Sequence, residues 1–133
     1  MSNTRNAMTF IASAAVAAIL PFAAHAADVG AEITTAATHA TLAAQATDIA
    51  TVHMHLHHTL NCLAGPAGKG YDGEEINPCA NSGNGAIPDT TDASKKKALQ
   101  DAASQAMEGI TDSDLASAQK DASTTAAALK AVK

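Results

Sequence analysis

From Glu32 to Leu63 the apolar residues recur every three to four positions, with Leu42, Ile49, Val52, Leu56, Leu60 and Leu63 forming one stripe. No proline or glycine interrupts the segment, and Gly65-Pro66 closes it. The pattern predicts one long helix over about residues 32–63. It would be ended by a glycine that tolerates the left-handed conformation of helix C-termini and a proline that cannot continue the ladder. Frequent threonine lowers the propensity of the first turns, where the helix is free to fray or hold a break.

The polar stretch that follows has another character. Gly65-Pro66-Ala67-Gly68-Lys69-Gly70, Asn77-Pro78-Cys79 and Asn81-Ser82-Gly83-Asn84-Gly85 are dense in turn residues and predict a loop over about 64–90. Loops of that length inside a small domain are uncommon unless functional or pinned, and Cys79 is the evident pin. Thr91-Asp92-Ala93-Ser94 then offers helix-start chemistry, and Leu99, Ala103, Ala106 and Ile110 make a second stripe ending near Gly109. Thr111-Asp112-Ser113-Asp114 caps a third helix carrying Leu115, Ala118, Ala122, Leu129 and Val132 at helical spacing. The expected shorter helices span about 92–108 and 112–132. With strand alternation absent, the fold class is all-α. It reads as a small antiparallel helical bundle in which one long helix faces two shorter ones across a Gly/Pro-rich, disulfide-pinned loop.

The first 26 residues read as an export signal rather than part of that domain. Arg5 precedes an apolar run from Met8 to Leu20, Pro21 breaks it, and Ala24-His25-Ala26 has the small-x-small pattern of a cleavage site. At about 13 residues the run is too short to cross a bilayer as a helix. The expectation is cleavage near Ala26 and a periplasmic or secreted mature chain of about 107 residues forming one domain over 27–133, with no membrane span.

Removing the signal changes the composition. The only arginine and both phenylalanines leave with it, and Tyr71 remains as the only aromatic. The eight basic residues become seven lysines, which against thirteen acids give a net charge of −6 with histidines neutral. A chain without arginine or stacking aromatics is a poor nucleic-acid binder, and it lacks the basic face of a membrane-surface helix. The core is thin, because alanine fills most apolar positions. Domains of this kind often draw on a disulfide, a metal or a partner for stability.

Cys62 and Cys79 are the only cysteines. In an exported chain such a pair most often forms a disulfide, here stapling the loop to the end of the long helix. The competing reading, two free thiols serving with His58 as metal ligands, excludes that bridge.

The segment hardest to explain as scaffold is His53-Met54-His55-Leu56-His57-His58. At about 100° per residue, His53 and His57 flank the apolar stripe, while His55, His58 and Cys62 lie on the opposite side. His53 and His57 have the i, i+4 spacing that lets two imidazoles meet one metal. Met54, His55 and His58 form a second, more exposed set. On one straight helix His39 shares the face of His57 but is about 27 Å from it and cannot join the same mononuclear site. Asp48, Asp72, Glu74 and Glu75 are possible additional ligands. A thioether favours Cu(I) and imidazole suits copper, zinc and nickel, so copper is expected first and zinc second. The plain alternatives are a structural cluster at the core edge or a pH-responsive one, since imidazole titrates nearest neutrality. Haem is not expected, because there is no C-x-x-C-H attachment and no aromatic lining. No nucleophile–base motif is present and no enzyme is expected. Sequence alone therefore yields two functions: an exported helical metal carrier, buffer or sensor, or a non-enzymatic bundle that binds a protein partner through its pinned loop.

Overall fold

The computed structural model describes residues 26–132. The export signal read over residues 1–26 lies, apart from Ala26, outside them. The described chain is all-helical: α1 Val29–Gln45, α2 Ile49–Ala64, a single turn α3 Ala86–Asp89, α4 Ala93–Thr111 and α5 Leu115–Ala131, with no strand among these residues. None of the helices is long and apolar enough to cross a membrane.

One device starts all four long helices. Asp28, Asp48, Asp92 and Asp114 each place a carboxylate oxygen 2.8–2.9 Å from the backbone N–H three residues on, at Ala31, Thr51, Lys95 and Ser117. Each cap satisfies one donor that the helix's own ladder leaves free.

The cap at Asp48 corrects the expectation of one continuous helix over 32–63. Asp48 accepts from both the Thr51 N–H and the Thr51 hydroxyl at 2.8 Å, and its own backbone is extended (φ −141°, ψ 153°). Ala46 is extended as well, at ψ 146°. Neither proline nor glycine causes the break; the aspartate cap outcompetes helix continuation. The interruption frees carbonyls, and Gln119 of α5 donates its amide to Ala46 O at 2.7 Å.

After the break α2 folds back along α1, so that Thr59 meets Ala36 while His55 meets His39. Helix α1 packs on α2 and α5, and α4 packs on α5 and α2. The four enclose one core. Val52, Leu56, Leu60 and Leu63 are buried as their spacing predicts, with Leu99 of α4 and Leu129 of α5 opposite. Each fully buried aliphatic side chain contributes about 1.5–3 kcal/mol. Leu42 leaves the expected stripe and is 41% exposed, because the break resets the helical phase and α1 buries Ile33, Ala36, Ala40 and Ala43 instead. Gly109 does not end α4, which runs on to Thr111. A Cβ there would lie 2.8 Å from Leu56 Cδ1 and 3.1 Å from Asp121 Cβ, so the glycine allows α2 and α5 to approach α4 closely.

The loop is anchored at three points. Cys62 and Cys79 form the disulfide, and both are buried. The fully buried Asn61 side chain donates to the carbonyls of Asp72, Glu75 and Ile76 at 2.9–3.2 Å and accepts from the Asp72 N–H at 2.8 Å. Glu32 of α1, fully buried, accepts from the Gly85 N–H at 2.8 Å through Oε1. Gly85 has φ +112° and is so close to Ala64 and Gly65 that a Cβ would meet their backbone at 2.5–2.6 Å.

Candidate metal centre

Three imidazoles converge where α2 folds back on α1. His39 of α1 and His55 and His58 of α2 each present a nitrogen, and the three nitrogens lie within 4.8 Å of one another. Their ring centroids are 5.0–5.7 Å apart. His55 and His58 share the α1-facing side of α2 because they are separated by three residues, close to one turn. His39 reaches them only because the Asp48 cap reverses the chain. This corrects the exclusion of His39, which assumed a straight helix.

The His39 and His55 Nδ1 atoms are 3.2 Å apart. Two imidazole lone pairs cannot face each other at that distance, so one nitrogen carries a proton and donates it to the other. A metal ion can replace that proton. With metal–nitrogen bonds of about 2.0–2.1 Å, two ligands on a tetrahedral ion stand roughly 3.3 Å apart, so this pair is already at ligating separation. Nitrogens as far apart as 4.8 Å would have to close in by about an ångström.

His58 is 6% exposed, and neither of its ring nitrogens has a hydrogen-bond partner. Its Nε2 is 3.5 Å from Glu75 Oε2, without hydrogen-bond alignment. An orphaned buried nitrogen is costly, and a ligand to it would remove the cost. A carboxylate behind a metal-binding imidazole is the usual outer-shell partner that orients the ring.

Burial, followed by the neighbouring charges of His58 and His55, lowers the His39 pKa to about 4. Burial and then His58 also lower that of His55. Both rings are therefore neutral at pH 7, and protons do not compete for their lone pairs there.

The other histidines go elsewhere. His53 Nε2 lies 2.9 Å from the carbonyl oxygen of Asp112. A carbonyl only accepts, so Nε2 carries the proton and holds the α4–α5 turn against α2. His57 Nδ1 is 3.3 Å from Asp72 Oδ2. Thus the i, i+4 pair is divided between two partners, and neither residue belongs to a ligating group of three or more among the described residues. Met54 is half-buried. The four proposed carboxylates also separate: Glu75 faces His58, Asp72 faces His57, Glu74 is exposed, and Asp48 caps the far end of α2. With Cys62 bridged, the thiol-ligand alternative gives way to the disulfide.

The loop covers the side of α2 formed by His57, His58, Asn61 and Cys62, each of which faces Asp72, Glu75, residues 72–76 or Cys79. Sequence reasoning missed His39, Asn61 and Glu32. The Asp48-x-x-Thr51 cap was the one signal that could have located the chain reversal and with it His39. Compared with known protein families, curated proteins and solved structures, the chain matches none.

Proposed function

We propose that this is an exported, non-enzymatic helical protein that binds a borderline divalent metal, Cu2+ first and Zn2+ second, through His39, His55 and His58. It would act as carrier, buffer or sensor. The observation that carries this reading is the meeting of three imidazoles from two helices within 4.8 Å. In this reading the four long helices form an antiparallel bundle whose α1–α2 seam is the binding site. An all-imidazole set suits Cu2+ and Zn2+, whereas Cu(I) would call for sulfur. Three protein ligands also leave a position open for water or an exchanging partner, as a carrier needs.

The test is native purification without affinity resin, followed by elemental analysis and calorimetric titration with Cu2+ and Zn2+. The expected result is one ion per chain, bound more tightly than about 1 μM, with at least a tenfold loss in His39→Gln and His55→Gln and none in His53→Gln. Metal-free protein with the same weak affinity in every variant would instead leave the partner-binding bundle, with the imidazoles as packing.

A further inference from the structure

Beside Ala64, at the C-terminal end of α2, the pinned loop and α4 line an open cavity of about 440 Å³. That is within the range of roughly 300–1,000 Å³ typical of small-molecule sites. Ile87 and Met107 supply apolar walls, Gln100 and Ser104 supply polar groups, and Lys69 and Lys96 both line the cavity. No carboxylate lines it, although the chain holds thirteen acids against eight bases. Neither lysine is in an ion pair among the described residues, whereas the neighbouring Lys97 is bound to Asp101 at 2.8 Å.

We infer that this cavity binds a small amphiphilic monocarboxylate, its acid group held by Lys69 and Lys96 and its tail against Ile87 and Met107. Two cations without an anion, next to apolar surface, match an acid carrying a short hydrocarbon tail. The unbranched thioether of Met107 adapts readily to the shape of such a tail. A bare anion would leave the apolar walls unused, and a neutral lipid would make no use of the two ammonium groups. Asn61 and the disulfide tether the loop that carries Lys69 at Asp72 and Cys79, which lowers the cost of ordering that loop around a ligand. None of these lining residues belongs to the histidine cluster, so the site stands or falls independently of the metal.

The probe is octanoate, titrated into the 15N-labelled mature chain and followed by amide NMR. The expected result is saturable shifts centred on Lys69, Ile87, Lys96 and Met107 with a Kd of about 1 mM or tighter. Octan-1-ol and inorganic phosphate should each bind at least tenfold more weakly. Lys69→Gln/Lys96→Gln should lose at least tenfold in affinity. Ser104→Phe, which fills the cavity from an exposed position on α4, should abolish the shifts even if the lysine variant folds poorly. Absence of saturable octanoate shifts, equal binding of octan-1-ol or phosphate, or full binding by Ser104→Phe would overturn the assignment.

Discussion

His39 and His55 meet Nδ1 to Nδ1 at 3.2 Å across the seam between α1 and α2, sixteen positions apart in sequence. The contact exists because the chain reverses at Asp48, and it leaves one shared proton where a cation would fit. Both rings are half-buried and neutral at pH 7, which ties the ligand chemistry of the seam to the pH dependence of folding.

That linkage has a definite sign. In the unfolded chain His39 takes a proton below about pH 6.5; in the folded chain it does so only near pH 4. The unfolded state therefore binds more protons between these values, and stability falls as pH drops through that window. The stability lost across that window is about 2–3 kcal/mol. Urea unfolding of metal-free protein at a series of pH values should show a steeper loss below pH 6.5 for the wild type than for His39→Gln. Parallel curves would refute the linkage.

Glu32 works in the other direction. Its pKa is raised chiefly by burial, against the Gly85 hydrogen bond that lowers it, with Asp89 and Asp28 raising it further. Its share of stability is therefore lost as pH rises above 4.5, the ordinary glutamate value. Glu32→Gln keeps an oxygen for Gly85 and removes the buried charge, so it should gain about 1 kcal/mol at pH 8 and little at pH 4. Glu32→Ala leaves the Gly85 N–H unpaired and should cost about 1–3 kcal/mol. Denaturation midpoints at the two pH values distinguish the cases.

Asn61 holds the loop with both ends of its amide. Asn61→Ala should cost about 2–4 kcal/mol, since it orphans buried groups and opens a cavity. Asn61→Asp should be nearly as harmful, because it turns a carboxylate oxygen toward the carbonyls of Asp72, Glu75 and Ile76. Hydrogen exchange should accelerate at Asp72 in both variants, while the α5 amides keep the order of their protection.

Reduction of Cys62–Cys79 opens a crosslink spanning 17 positions. The chain-entropy model puts the loss at about 3 kcal/mol, a large share of the stability of a domain this size. Chemical denaturation of the Cys62→Ala/Cys79→Ala variant should show that loss. Its helix content should persist, because the Asp caps and the leucine core do not depend on sulfur.

Much of the architecture was legible locally. Apolar spacing located α4, α5 and the buried face of α2, where Val52, Leu56, Leu60 and Leu63 are interior as their spacing predicts. The pairing of Cys62 with Cys79 followed from there being two cysteines in a chain expected to be exported. Two errors had one source, the absence of proline and glycine between residues 32 and 63. That absence suggested continuity, whereas Asp48 and Thr51 together form a cap strong enough to end one helix and begin another. Leu42 was misplaced and His39 excluded for that single reason.

The sequence by itself determined that this chain is helical, where the caps of its last two long helices and its cysteines stand, and that imidazoles are concentrated on one helix. Those are properties of short windows, set by periodicity, side-chain hydrogen bonds to nearby backbone and the chemistry of two thiols. Only the tertiary structure decided which imidazoles meet. Helical spacing favoured His53 with His57, but these face the Asp112 carbonyl and Asp72, while His55 and His58 face His39. The reason is physical: a ligand set must converge in three dimensions, and convergence here depends on α2 folding back along α1.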